Sequence, residues 1–169
     1  FVKTNLEEHI KRLINESKGF LPDKKIEIIL KMEKLPKIET DPDRIIQVLR
    51  NLINNAKKFS PEKSKIFIEA KLSKGYILIS VKDQGIGIPK ENQTRLFEPF
   101  FQVEQTIYRK YSGAGLGLAI SRGIIESQGG KIWFESDKGK GSTFYFTIPL
   151  EPVLETKPIK LLFSSNVFI

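Results

Sequence analysis

Three asparagines and two lysines crowd one stretch of the chain, Asn51-Leu-Ile-Asn54-Asn55-Ala-Lys57-Lys58. At about 100° per residue, Gln47, Asn51, Asn55 and Lys58 share one helical face, within an arc of about 80°. Asparagine is a mediocre helix former, so three of them in one helix cost stability. An amide carbonyl there would help to ligate magnesium, an ion that takes few protein oxygens and completes its shell with water and phosphate. A lysine one turn on would meet that phosphate. A solvated polar face would use the same residues. Further along stands Asp83-Gln-Gly85-Ile-Gly87-Ile-Pro89, where glycines let a ligand approach the backbone. If a base binds there, the Asp83 carboxylate, which only accepts hydrogen bonds, favours adenine's amino group over guanine's carbonyl. Burying the wrong pairing costs on the order of 1 to 3 kcal/mol. An ordinary turn is the alternative. Gly113-Ala-Gly115-Leu116-Gly117-Leu118 precedes a helix, whose free amides bind phosphate readily; a glycine hinge is compatible with the same residues. Its spacing is wrong for a dinucleotide fingerprint, and no glycine stands five residues before Gly139 in Gly139-Lys140-Gly141-Ser142 to make a Walker A loop. Rossmann dehydrogenases and conventional P-loop enzymes are thereby disfavoured.

The elements that must position these groups follow from periodicity. Leu6, Ile10, Leu13 and Ile14 have helical spacing after a Thr4-Asn5 start. Residues 25 to 32, rich in isoleucine, read as a strand. Glu39 to Asp43 reads as a helix start, and the helix runs to Phe59, where Ser60-Pro61 stops it. Within it Ile45, Val48, Leu49, Leu52, Ile53 and Ala56 form one apolar stripe. Residues 65 to 72 and 76 to 82 alternate around Ser73-Lys74-Gly75 and predict a hairpin. A short helix is expected from Pro89 to Phe97. From Gln102 to Gly115 nothing is periodic, and a loop of about 14 residues is long enough to be a lid. A helix over 116 to 127 and strands over 131 to 136 and 143 to 149 complete the pattern. Helices and strands intersperse, so the class is α/β, one mixed sheet covered mainly on one face.

Composition narrows the chemistry. The 169 residues include no cysteine, which excludes disulfide scaffolds, zinc ribbons and cysteine nucleophiles. One histidine, His9, leaves no room for a His-rich metal site. With 28 Lys and Arg against 20 Asp and Glu the formal net charge is +8, but the basic residues are spread along the chain and sit beside acids. No basic stripe with interleaved aromatics marks a nucleic-acid partner. No apolar run approaches the roughly 20 residues of a membrane helix. A first residue of Phe1 and a single methionine, Met32, suggest a piece of a longer protein.

Taken in order, the motifs resemble the catalytic, ATP-binding domain of two-component sensor histidine kinases, in the superfamily shared with DNA gyrase, heat-shock chaperones and mismatch-repair ATPases. The resemblance covers residues 1 to about 150. It rests on an N box (Asn51 to Phe59), a G1 box (Asp83 to Gly87), an F box (Phe97-Glu-Pro-Phe100-Phe101), a G2 box (Gly113 to Leu118) and a last box (Gly139 to Phe144). It implies a two-layer sandwich: a mixed, mostly antiparallel five-stranded sheet with three main helices on one face, the Bergerat-type ATP-binding fold. It also implies ATP and Mg2+ as ligands. By similarity Asn55 ligates the magnesium, Asn51 and Lys58 contact phosphate or its hydration shell, and Phe59 packs beside the nucleotide. Asp83 reads adenine, Gly85 and Gly87 belong to the base pocket, and Gly113, Gly115, Leu116 and Gly117 hug the phosphates. Ser142 supports the adenine site through water. Where many members carry an arginine after the F-box aromatics, this chain has Gln102, so Arg109 in the loop is the candidate for the γ-phosphate, with Asn51 and Lys58 as the other catalytic groups.

In hydrolysing relatives a glutamate stands four residues before the magnesium asparagine. Here that position is Asn51, and a neutral amide is no general base. The resemblance therefore implies a kinase domain that presents the γ-phosphate to a histidine on a separate dimeric helical hairpin, with a response regulator or fused receiver downstream. His9 lacks the family's following acid and proline and is not that histidine. An ATP-dependent docking module without phosphotransfer is the alternative, and a serine kinase of the anti-sigma type is disfavoured by the F box and long loop. The expectation is a monomeric domain, residues 1 to 150, in a cytoplasmic setting. It makes no direct membrane contact, and its parent would be a homodimer, open to membrane anchoring. Residues 151 to 169 read as a linker and the start of a following segment.

Overall fold

The computed structural model describes residues 1–17, 24–103 and 115–152. In chain order these form β1 (Val2–Thr4), α1 (Leu6–Ser17), β2 (Glu27–Met32), β3 (Ile38–Thr40), α2 (Pro42–Phe59), β4 (Lys65–Ser73), β5 (Tyr76–Lys82), a one-turn α3 (Lys90–Gln93), α4 (Gly117–Ser127), β6 (Ile132–Ser136) and β7 (Ser142–Pro149). Five strands make one sheet in the order β2-β4-β5-β7-β6. Only β2 and β4 run parallel, from Glu27 opposite Lys65 to Met32 opposite Ala70. A parallel pair needs a long crossover, and β3 with α2 supplies it. The β4–β5 hairpin turns on Lys74 and Gly75, both at positive φ (46° and 85°), which is the two-residue turn whose twist matches that of paired strands.

The sheet buries one face. Ile66, Ile68, Ala70, Ile77, Ile79, Val81, Phe144, Phe146 and Ile148 point to the core, and the intervening residues do not. Against them lies the predicted α2 stripe, buried from Ile45 to Ala56, with Leu6, Ile10 and Leu13 of α1 and Ile125 of α4 completing the layer. Each such leucine, isoleucine, valine or phenylalanine contributes roughly 1.5 to 3 kcal/mol by leaving water. The two-layer, mixed-sheet expectation therefore holds, with α1, α2 and α4 as its three main helices.

Local chemistry sets the ends of α2. Asp41 caps its N-terminus, accepting from the Arg44 backbone N–H at 3.1 Å, and Pro42 occupies the first turn where its missing donor is harmless. The helix therefore starts later than Glu39, because Ile38–Thr40 is instead a strand, paired antiparallel with β1. Strand β2 likewise begins at Glu27 rather than at residue 25. The helix expected from Pro89 to Phe97 is regular only over Lys90–Gln93 and continues as turns. Buried Gln128, just past α4, accepts from Thr40 Oγ1 and from the Asp41 N–H (3.1 Å), tying the end of α4 to the start of α2.

Candidate functional site

The Asp83 turn is built where β5 leaves the sheet. Asp83 N–H still donates to the Ser142 carbonyl of the neighbouring strand at 2.9 Å. Its side chain is 7% exposed and its Oδ1 accepts two backbone donors, Gly85 N–H at 2.8 Å and Ser142 N–H at 3.2 Å. Both bonds land on Oδ1, so Oδ2 keeps its acceptor capacity. Burial pushes the carboxyl above the ordinary aspartate range, and the two donors pull it back part of the way. Gly87 has φ +68°, and a Cβ there would overlap the Asp137 carbonyl oxygen, so this position requires glycine for both conformation and space.

A second set of polar residues braces the same turn. Ser136 Oγ accepts from Ile88 N–H at 2.8 Å and lies 2.8 Å from Ser142 Oγ and 3.1 Å from the Gly141 carbonyl. Gln93 Nε2 donates to the carbonyls of Ile88 (2.9 Å) and Ser136 (3.0 Å). Gly139 N–H reaches the Ile86 carbonyl at 2.7 Å. Ser142 therefore meets Asp83 directly through its own amide. Neither Ser136 nor Gln93 stands out in the sequence, because each also reaches a partner 43 or 48 residues away. A cleft of about 510 Å³ opens beside the turn, lined by Asp83, Ser136 and Ser142 among others, but not by Asn51, Asn55 or Lys58.

The polar face of α2 is held from different directions. Asn51, Asn55, Lys58 and Phe59 are half-buried, whereas Gln47 is exposed and accepts from Arg44 Nη1 at 3.0 Å, away from the others. Asn51 Nδ2 donates to Ser121 Oγ on α4 at 3.0 Å. Lys58 Nζ stands 5.3 Å from the Phe59 ring centroid, and partial burial lowers its pKa. The C-terminal end is anchored by two cations, Lys24 from outside the motif and Lys57 from within it. Lys24 Nζ donates to the carbonyls of Lys58 (2.9 Å), Ser60 (3.0 Å) and Lys57 (3.3 Å), and buried Lys57 Nζ donates to the Ser17 carbonyl. Positive charge at a helix C-terminus is favourable. Gly85 joins this end to the Asp83 turn, for a Cβ there would stand 2.7 Å from the Phe59 carbonyl oxygen.

The remaining expected contacts divide. Arg109 and Gly113 lie outside the described residues. Gly115 accepts from Phe100 N–H at 3.0 Å, so the F box holds the residues entering α4. Phe100 itself is 75% exposed at φ 63°, and Arg95 lies over the Phe101 ring at 4.6 Å. Leu116 leads into α4, and Gly117 packs against Asn51. His9 is part of α1, with Nε2 3.2 Å from Thr4 Oγ1 and Nδ1 buried. Among the described residues no three acidic or histidine side chains gather to hold a metal, and no helix is long and apolar enough to cross a membrane.

Residues 40–152, which include the buried Asp83 carboxylate and the asparagine-rich α2, match the family model of the histidine kinase-, DNA gyrase B-, and HSP90-like ATPase. The chain belongs to that family. It is similar to the sensor histidine kinase WalK of Bacillus subtilis, 45% identical over 114 residues, covering 66% of this chain and 19% of that protein. Among solved structures it resembles the catalytic domain of histidine kinase ThkA, with a TM-score of 0.77 and 34% identity over 90% of this chain and 97% of that one. ThkA has also been solved in complex with the response regulator TrrA; that structure gives a TM-score of 0.73 and 33% identity over 89% of this chain and 42% of that one. Full-length ShkA in complex with AMPPNP gives a TM-score of 0.78 at 29% identity, covering 89% of this chain and 31% of that one. The chain thus spans about a fifth of the length of the curated relatives it matches.

Proposed function

We propose that residues 1 to 150 bind magnesium-ATP and donate its γ-phosphate to a histidine on a separate dimerisation and phosphoacceptor hairpin, in two-component signalling. The observation that carries this reading is Asp83, a carboxylate kept in a place where burial opposes its charge, with Oδ2 left to accept from adenine's amino group. Asn51, Asn55 and Lys58 supply the phosphate end. The donor set fits magnesium only when phosphate comes with it, since Asn55 offers one neutral oxygen and the ion needs several more from water and ligand. Magnesium, when bound, neutralises phosphate charge. Lys58 adds a cation whose lowered pKa still leaves it a hydrogen-bond donor.

No general base faces the phosphates from position 51, where an amide stands, so transfer awaits the partner's imidazole. The neighbours support the two ends of this scheme: ShkA was solved with AMPPNP and ThkA with a response regulator. Arg109 is proposed as the cation for the charge that grows on the transferring phosphoryl group. Incubating the chain with labelled ATP, alone and with a cognate hairpin, tests the reading. The expected result is acid-labile phosphohistidine on the hairpin and none on the chain itself. ATP binding with no transfer to any hairpin would instead leave a docking module.

A further inference from the structure

Gln93 ties three stretches of the chain together at the base end. It closes α3, and its Nε2 donates to the Ile88 carbonyl at 2.9 Å and to the Ser136 carbonyl at 3.0 Å. Both partners only accept, and the amide nitrogen carries two protons, so one N–H goes to each and the orientation of the side chain is fixed. The Ile88 peptide is thereby held on both sides, its N–H on Ser136 Oγ and its carbonyl on Gln93. Beyond α3 the same arm of chain carries the F box. Phe97 packs on Phe134 of β6 with ring centroids 5.9 Å apart, and the Phe100 N–H donates to the Gly115 carbonyl at 3.0 Å, at the entrance to α4. Phe100 stands at φ 63°, a conformation that a residue with a Cβ keeps only where its surroundings impose it. The arm is thus pinned at its root by Gln93 and strained at its far end.

Resting on the proposed function, we infer that Gln93 is a positioning residue that ties the F-box arm to the Asp83 turn, so that a base seated at Asp83 moves the arm as far as Phe100 and Gly115. Gln93 lines the cleft beside Asp83, whereas Phe100 and Gly115 do not. The backbone through Pro89 also joins the turn to the arm, but only the side chain adds the end of β6 to that joint. The coupling is reciprocal, so a displacement of the arm changes the affinity for the base.

Titration with adenosine, followed by the backbone amide signals in NMR, tests this, because adenosine has no phosphate to engage α2. In the wild type the signals of Gly85 and Ser142, the donors to Asp83, shift together with those of Phe100 and Gly115 along one binding curve. Gln93→Leu keeps the bulk and removes both donors. There Gly85 and Ser142 still shift at saturation, Phe100 and Gly115 lose most of their shift, and affinity for adenosine falls about fivefold, the worth of one ordinary hydrogen bond. Gln93→Glu, closer in shape and polarity, sets only acceptors against two carbonyls at neutral pH and is worse than Gln93→Leu in both respects. A side chain that merely covers the turn would rank the two variants the other way, and that ranking would overturn the inference. So would Phe100 and Gly115 shifts that survive at saturation in both variants, or that are missing in a wild type whose Gly85 and Ser142 respond. A wild type in which Gly85 and Ser142 themselves stay unmoved would defeat the functional reading at its base end, and the inference with it.

Discussion

The two ends of the candidate nucleotide site are held by different means. At the base end, Asp83 is fixed by two backbone donors, and the turn around it is pinned by Ser136, Gln93 and Gly139, so almost every polar group has a partner inside the protein. At the phosphate end, Asn51 has one side-chain bond, to α4, and Lys58 has the Phe59 ring, while the helix carrying them is anchored from its far side by Lys24 and Lys57. On the proposed function, the first region would receive a flat, neutral base and the second a charged group. A ligand should therefore be read first by its base, with the phosphates engaging a surface that their own charge completes.

Substitutions can break this contrast. The largest effect is expected from Gly87→Ala, where a positive φ and the Asp137 carbonyl both oppose the new methyl group. Urea unfolding should show a loss of about 3 kcal/mol, and a loss below about 1 kcal/mol would show that the base end yields more easily than its bracing implies. Next comes Asp83→Asn. Nucleotide affinity should fall between about tenfold and a hundredfold by calorimetry, because the amide offers adenine a misplaced donor. Stability should not fall, since the asparagine oxygen still serves Gly85 and Ser142 without the buried charge.

That same pair of proteins carries a pH signature. The folded carboxyl binds its proton more tightly than the unfolded one, so the contribution of Asp83 to stability is greatest below the ordinary aspartate value of 3.8 and declines as pH rises toward the raised folded value. The stability gap in favour of Asp83→Asn should therefore open across that window and stay constant above it. Denaturant titrations at several pH values that show a constant gap throughout would mean the carboxylate is not penalised by burial.

Smaller effects sharpen the phosphate end. Lys24→Met removes the ammonium from three helix-terminal carbonyls and should cost about 1 to 2 kcal/mol of stability. Its affinity loss should be smaller than that of Asp83→Asn; an equal loss would erase the proposed difference between the ends. Smallest is Arg122→Gln on α4, which breaks an exposed pair with Glu126 at 2.7 Å. It should cost about 0.3 to 0.5 kcal/mol and leave nucleotide binding unchanged.

What the residues alone reveal follows the range of the interaction. The α2 stripe and the β4–β5 hairpin are legible because period and turn chemistry are local, and the family boxes are legible because their glycines and asparagines are costly where they stand. Strands β1 and β3 escape notice, for three residues carry no period and their pairing joins Val2 to Thr40. The braces of the site are equally silent. Ser136, Gln93, Ser121 and Lys24 are ordinary residue types, each with a partner 33 to 70 positions away. Gly117 lies against Asn51, a contact between helices that spacing within one motif does not contain.

The bond from Ser142 to Asp83 spans 59 positions and joins two adjacent strands at the middle of the sheet. In terms of folding order, such a contact closes late, because the chain between must first be gathered. A ribosome delivers Asp83 and both lysine anchors long before β7 emerges. Until β7 docks, Asp83 has only Gly85 as a backbone donor, and the proposed base pocket is not formed. On the proposed function, competence to hold nucleotide thus arrives only with β7, and a chain that lacks it, however much of its helical layer has formed, should sequester none.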